Sequence, residues 1–365
     1  MSQIKKYVDP VLLGSIIMLL IIGVFMVASS SWGEGLKEFG DGSYYFKRHV
    51  VFLVIGIIAC IAGYGTPLKI LRKLAMPLWV FSMILCLALF TGMGVTVNGA
   101  TRWLAIPKTN FQFMPSDLLK YTSIFFVAHL CTIHRKRGRR QGFLPILFVI
   151  GASAGIVVIE DFSSASVITI SLMSMFFISG MSFSELIAIL SLGAMGIYGF
   201  VLRVPYRMKR LTSFLDPFDD IGNTDWQLAN SLYSIGIGSI TGVGYFNAHR
   251  TFNRLPEAYN DFIFAVIGQE FGLIGSVVVI LLFAVFIARG FQTVRMQRKF
   301  YEKLVATGIV VSIGFQAFFN MGVAVGLLPV TGLTLPFISY GGTALILAMG
   351  MSGILLRLSA KGASR

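Results

Sequence analysis

Residues 304–356 read LVATGIVVSIGFQAFFNMGVAVGLLPVTGLTLPFISYGGTALILAMGMSGILL, fifty-three consecutive residues without a charged side chain. The hydrocarbon core of a bilayer is about 30 Å thick, and a helix crosses it with roughly 20 apolar residues. The interval therefore holds two crossings, at 304–326 and 335–356, separated by residues 327–336 with Pro329, Gly332 and Pro336. Eight further uncharged or nearly uncharged runs fit the same length, at 10–33, 50–68, 74–91, 114–133, 141–159, 162–180, 184–202 and 262–288. The expectation is an all-α polytopic membrane protein, one membrane domain over residues 1–365. It has about ten transmembrane helices and a large extracytoplasmic loop, approximately 203–261, between helices 7 and 8.

Composition agrees. With 56% hydrophobic and 13% charged residues and a mean hydropathy of +0.80, a water-soluble globular enzyme is excluded. Cys60, Cys86 and Cys131 all lie in apolar stretches and read as small buried hydrophobes rather than a disulfide framework. The first run follows Lys5 and Lys6 and has small residues at Ala28–Ser31, but its apolar part is too long for a cleaved leader and reads as a retained anchor.

The net charge of +14 is a matter of topology. If the N-terminus is cytoplasmic, ten spans return the C-terminus to the same side. Eighteen of the 30 cations then fall inside, among them the cluster Arg135, Lys136, Arg137, Arg139 and Arg140. They are accompanied only by Asp9, Glu185 and Glu302, so the inner face carries about +15 and the remainder about −1. Nucleic acid loses its support as a partner. The 135–140 cluster also suits anionic membrane lipids or a partner's tail. The loop 203–261 balances six cations with six acids. Phe214, Phe218, Trp226, Leu228, Leu232 and Tyr233 give it enough apolar surface for one or two short helices against the membrane. There is no convincing internal repeat, which weakens an inverted-repeat transporter.

Ionisable groups near membrane depth are costly and mark candidate sites. Lys47, Arg48 and His49 begin the second run, where snorkelling alone accounts for them. Arg102 and Trp103 lead into Pro115-Ser116-Asp117-Leu118-Leu119-Lys120, where Asp117 and Lys120 stand at the spacing of a helical ion pair. Cations at such a mouth suit an anionic phosphate ligand. Glu160 and Asp161 occupy a short turn that can keep both wet. Asp261 opens a long apolar helix, where the helix dipole gives an aspartate a structural reason to be. His129 and His134 read as structural, His249 stays undecided, and no Walker A, dinucleotide, zinc or Gly-x-Ser-x-Gly signature occurs.

Three stretches taken together resemble the SEDS family (shape, elongation, division and sporulation), typified by RodA, FtsW and SpoVE. They are Pro205 to Pro217, Leu255-Pro-Glu followed by Asp261 to Gly275, and above all Asn320 to Gly342 with its closing Pro-Phe-Ile-Ser-Tyr-Gly-Gly. The resemblance runs nearly end to end. It implies a ten-helix peptidoglycan glycosyltransferase that polymerises lipid II at the outer face of the cytoplasmic (inner) membrane, both termini cytoplasmic, for cell shape, division or sporulation. It also implies a class B penicillin-binding protein as partner. Carried over residue by residue, the essential aspartate falls on Asp261. Arg48, Arg102, Trp103, Lys120 and Asp161 fall on polar or aromatic positions around the central cavity, and Asp117 stands where the family usually has glutamate.

That implied chemistry suits these residue types. A carboxylate such as Asp261 takes the proton of the acceptor 4-hydroxyl. Arg48, Arg102 and Lys120 stabilise the leaving pyrophosphate, and a divalent cation, Mg2+ or Mn2+, is a further expectation. A single carboxylate base predicts inversion at the sugar. The chain departs from the family pattern at Met114, Gln269, Phe246, Asn247, Ala248 and Asn260, and at Glu160-Asp161-Phe162-Ser163-Ser164 in place of Pro-Asp-Leu-Gly-Thr. Two other readings stay open on these grounds: a lipid II flippase using the same cavity, and a noncatalytic scaffold for a penicillin-binding protein.

Overall fold

The computed structural model describes residues 8–97, 100–105, 112–137, 143–159, 161–185, 187, 189, 191, 214, 216–218, 226–248, 255 and 257–362. Outside them lie Glu160, His249, most of the run 184–202, the cations Arg139 and Arg140, and most of the Pro205–Pro217 motif.

The chain begins with α1 (Pro10–Ser30), whose start is written locally: Asp9 accepts the N–H groups of Val11 and Leu12 at 2.9 and 3.1 Å, and proline stands at the first helical position. The run 10–33 does not continue as one helix. It breaks at Ser31 into α2 (Trp32–Phe39), a short helix with charge on one side. Helices α3 (Tyr44–Gly65) and α4 (Leu68–Ala88) each begin several residues before the uncharged runs that predict them, taking in Lys47 and Arg48 in one and Lys69, Arg72 and Lys73 in the other.

A three-stranded antiparallel ribbon follows, β1 (Gly94–Val97), β2 (Ala100–Ala105) and β3 (Gln112–Phe113), in the order β1-β2-β3. It is the one non-helical element among the described residues and lies outside the all-helical expectation. Then come α5 (Pro115–Arg137), α6 (Phe143–Val158), α7 (Phe162–Ile178), α8 (Trp226–Gly238), α9 (Ile263–Met296), α10 (Phe300–Ala324) and α11 (Gly342–Gly362).

Among the described residues six helices are long and apolar enough to cross a membrane, namely α1, α3, α4, α9, α10 and α11, with α6 and α7 shorter and apolar. The protein is a multi-pass membrane protein. Helix α5 has the length but not the hydropathy, since Asp117, Lys120 and the basic residues of its last turns lower it. It has another environment: residues 115–128 are buried apart from half-buried Leu118, and α4, α6, α7, α10 and α11 all pack on it. A central helix enclosed by protein need not look like a lipid-facing one.

The break within 304–356 falls where proline and glycine place it, although α11 starts at Gly342 rather than near 335. Helix α10 ends in a Schellman motif on Gly326 (φ 73°), with Leu327 N–H donating to the Gly322 carbonyl at 2.8 Å and Gly326 N–H to Val323 at 3.0 Å. Helices α3 and α11 lie against each other over Gly63 and Gly353, where a side chain would meet the facing backbone.

Helix α9 is longer than the run 262–288 and is interrupted at Gly272 (φ 65°, ψ −159°). An interruption frees backbone groups that a bilayer cannot satisfy. The segment after α8 satisfies them instead. Val243 and Gly244 N–H donate to the Gln269 and Glu270 carbonyls (both 3.0 Å), while Leu273 and Ile274 N–H donate to the Ser239 and Ile240 carbonyls (2.9 and 3.3 Å). Thus α8 and its return loop pack against α9. A Cβ at 272 would run into the Ile240 carbonyl and the Gly242 amide. Gly272→Ala is therefore expected to destabilise the protein by at least about 1–2 kcal/mol. Gly151→Ala in α6, where nothing stands within 4 Å of the added carbon, is expected to be neutral or to stabilise by up to about 1 kcal/mol. Thermal melts of both variants in detergent check the pair.

One end of the bundle gathers the termini. Asp9 pairs with Arg289 at 2.6 Å and donates its N–H to Ser359 Oγ at 3.2 Å, and Arg357 donates to the carbonyls of Tyr64 and Gly65 at 2.7 Å each.

Candidate functional site

At the start of α9 the chain turns sharply. Glu257 adopts a left-handed backbone (φ 50°), and its carbonyl accepts the N–H groups of Asn260 (2.9 Å) and Asp261 (3.3 Å). Aromatic rings hold this turn. Tyr259 lies 4.5 Å from Tyr45 and 5.6 Å from Tyr340 between centroids, and Tyr340 N–H donates to the Tyr259 carbonyl at 2.9 Å. Asp261 stands directly before Phe262, the N-cap of α9, where the helix dipole still favours its charge, but the start of the helix carries no side-chain capping bond. The half-buried Asp261 carboxyl faces Arg102 instead.

What lets the two approach is Gly332. A Cβ there would collide with the Arg102 guanidinium and stand 3.4 Å from Asp261 Oδ2. Arg102 is aimed by a bulge, since Thr101 and Trp103 pair with the consecutive residues Thr96 and Val95 and Arg102 is the extra residue between them. Withdrawal from water pushes the Asp261 carboxyl up to about 7, helped by the charges of Glu257 and Asp161 and opposed by Arg102.

Arg102 also lines a small cleft with Ser116, Asp161, Cys86, Leu89, Ile156 and Val157. Its lining is three polar and four apolar side chains. Asp161, 3% exposed, caps α7: it accepts Ser163 N–H (3.1 Å), Ser164 N–H (3.3 Å) and Ser164 Oγ–H (2.6 Å). It therefore combines a structural bond set with a place on the cleft wall. Trp103 is half-buried on the ribbon and is not among the residues lining the cleft.

Asp117 and Lys120 do form the expected helical pair, at 3.2 Å, but deep in the protein. Lys120 Nζ also donates to Gln316 Oε1 (2.7 Å) and lies 4.8 Å from the Tyr121 ring centroid. Asp117 Oδ2 accepts from Thr343 Oγ1 at 3.4 Å. Arg48 lies on the aromatic side, donating to Tyr44 Oη at 3.1 Å and standing over the Tyr44 and Phe52 rings at 5.6 and 6.0 Å. The site thus brings Asp261 and Arg102 together, adds Asp161 along one cleft, and sets Asp117 with Lys120 and Arg48 on separate flanks.

Sequence reasoning gave no site role to Gln316, nor to Asn320 beyond its place at the head of a family stretch. Both are uncharged and sit in an apolar run, so a search for ionisable groups misses them, although two amides four residues apart in a membrane helix are a signal in their own right. The departures from the family pattern also have places. Phe246 has φ 63° and its ring lies 5.4 Å from Trp32, so a bulky residue holds a left-handed position that glycine fits more easily. Ala248 N–H donates to Glu270 Oε1 (3.3 Å), and Gln269 is buried beside that glutamate in sequence. Met114 is buried just before α5, and its carbonyl accepts Asp117 N–H at 3.2 Å.

The family model for FtsW, RodA and SpoVE, described as a cell cycle protein, matches residues 10–363. The chain belongs to the FtsW/RodA/SpoVE family. Among its relatives, the probable peptidoglycan glycosyltransferase FtsW of Methylomonas methanica is 38% identical over 361 residues, covering 97% of this chain and 92% of that one. The stage V sporulation protein E of Bacillus subtilis is 34% identical over 368 residues, covering 98% and 99%. Two solved structures share the FtsW/RodA/SpoVE fold seen here. A chain described under "Structural coordination of polymerization and crosslinking by a peptidoglycan synthase complex" aligns with a TM-score of 0.79 at 24% identity, covering 97% of this chain and 98% of its own. RodA of Thermus thermophilus aligns with 0.71 at 22%, covering 96% of each.

Among the described residues no three His, Cys, Asp or Glu side chains converge as a metal site. Asp117 is engaged by Lys120 and Asp161 by the start of α7. The described residues do not by themselves build a cage for a divalent cation.

Proposed function

We propose that this chain is a peptidoglycan glycosyltransferase that polymerises lipid II. The observation that carries the reading is Asp261, a carboxyl at the head of α9, raised to about 7 and set against Arg102 over a glycine. Asp261 accepts the proton of the acceptor sugar's 4-hydroxyl. That oxygen forms its bond to the donor anomeric carbon as the bond to the lipid diphosphate breaks, with inversion. Arg102 stands where negative charge develops on the leaving diphosphate, and Asp161 marks the same cleft. Lys120 and Asp117 are buried and mutually satisfied, so their contribution is structural and electrostatic. Arg48 and Trp103 serve the approach from the aromatic flank and from the ribbon. A divalent cation, Mg2+ or Mn2+, would be held mainly by the substrate's diphosphate oxygens and would neutralise charge on the leaving group. No step above depends on it.

The finer placement belongs to the same proposal. The protein sits in the cytoplasmic membrane with both termini inside, supported by the end of the bundle that gathers Asp9, Arg289, Arg357 and Ser359. The site faces outward and works with a class B penicillin-binding protein.

The pH profile tests the base. A carboxyl near 7 is protonated and idle below that value and ionised above it. The expected kcat/KM for lipid II falls about tenfold per pH unit on the acid side of neutrality and levels off above it. A profile flat down to the ordinary carboxylate range contradicts the assignment.

A further inference from the structure

Asn320 is 1% exposed near the C-terminal end of α10. Its Nδ2 donates to two main-chain carbonyls, that of Asp261 at 2.8 Å and that of Leu333 at 2.6 Å. Both amide hydrogens are thereby spent on segments remote from each other, the turn that carries Asp261 and the strap that carries Gly332. Its own Oδ1 has no hydrogen-bond partner among the described residues. A buried orphan acceptor costs free energy, so the residue is not explained by satisfying itself. An apolar side chain here would leave two buried carbonyls unmet. One turn earlier on the same face, Gln316 Nε2 donates to the next strap carbonyl, Thr334, at 2.9 Å, while its Oε1 takes Lys120. The strap is thus fixed at two successive residues to one helix, and the turn of Asp261 is fixed to the same helix.

We propose that Asn320 is a positioning residue: by tying the Asp261 main chain to the strap at Leu333, it sets the distance between the Asp261 carboxyl and Arg102 across Gly332. The proposal rests on the reading of Asp261 as the base. Asn320 touches neither substrate nor reacting atoms.

Two measurements separate this role from simple folding support and from the polymerase reading itself. In the first, infrared difference spectra of the purified protein, each taken against Asp261→Asn in the same background, give the titration of the Asp261 carboxyl as it faces Arg102, Glu257 and Asp161. The wild-type band is expected to titrate near 7, and Asn320→Ala is expected to move it by about one pH unit. Asn320→Ser keeps a single donor and a smaller change. It is expected to fall between the two, and it carries the test where Asn320→Ala does not fold. In the second, lipid II polymerisation by Asn320→Ser is expected to lose about tenfold to a hundredfold in kcat with KM within about twofold. A titration identical to wild type in both variants overturns the proposal, even if their melting temperatures fall. If the wild type makes no polymer, the functional reading fails, and the infrared titration still decides the role of Asn320.

Discussion

Asp261→Asn is expected to abolish polymerisation, lowering kcat/KM by about a hundredfold to ten-thousandfold, while leaving the protein folded and bound to its partner. The substitution is nearly isosteric and keeps the main-chain bonds that hold the turn, from Asp261 N–H to Glu257 and from Asn320 to the Asp261 carbonyl. Its amide carries no charge for Glu257 to repel. What it removes is proton affinity at one point beside Arg102. The acid limb of the pH profile disappears with it, since no residual turnover depends on that carboxyl. Lipid II polymerisation by the purified variant, with its melting curve as the folding control, is the check. Activity within about tenfold of wild type removes the base from the mechanism.

Lys120→Met has the largest expected effect on stability. Lys120 and Asp117 are 5% and 9% exposed at the side chain, and Met keeps most of the stem volume. The change strands the Asp117 carboxylate with only a 3.4 Å bond from Thr343, and it leaves Gln316 Oε1 without the Lys120 donor. Removing one partner of a buried pair costs about 3–5 kcal/mol. Adding Asp117→Asn takes away the stranded charge and is expected to recover at least about half of that loss. Melts of the single and double variants in detergent measure both. A single variant that melts like wild type means the pair is wetter than its enclosure by α4, α7, α10 and α11 implies.

Much of the fold was legible because the bilayer imposes a length and a polarity that any sequence must respect. The 53-residue uncharged interval divides at the proline and glycine residues that suggest a division, and the segment between α10 and α11 then supplies Gly332 to the site. Legibility failed where a partner element decides. Nothing local marks residues 94–97, 100–105 and 112–113 as a ribbon, since their pairing is between strands. Gly272 reads as one more glycine in an apolar helix until the return loop after α8 takes up the freed backbone groups. Hydropathy underrates α5 because its surroundings are protein.

The site shows the same division. Charges placed among apolar residues pointed to Asp117, Lys120, Arg102, Asp161 and Asp261, but local spacing assigned their duties unevenly. Asp161, expected in a wet turn, is 3% exposed and caps a helix, whereas Asp261, explained from sequence by the helix dipole, stands before the N-cap of its helix and faces Arg102. Asn320, quoted only as the head of a family stretch, was given no role because an amide carries no charge and its two acceptors lie 59 and 13 residues away.

The most direct test of the central claim is lipid II added to the purified protein with its class B penicillin-binding partner. Moenomycin is present to silence unrelated glycosyltransferases, and glycan length is read by gel while leaflet exchange of fluorescent lipid II is followed in parallel. The account predicts glycan ladders from wild type and none from Asp261→Ala. Leaflet exchange without any polymer contradicts it and makes the protein a flippase. A folded, partner-bound protein that yields neither contradicts it equally and leaves a scaffold.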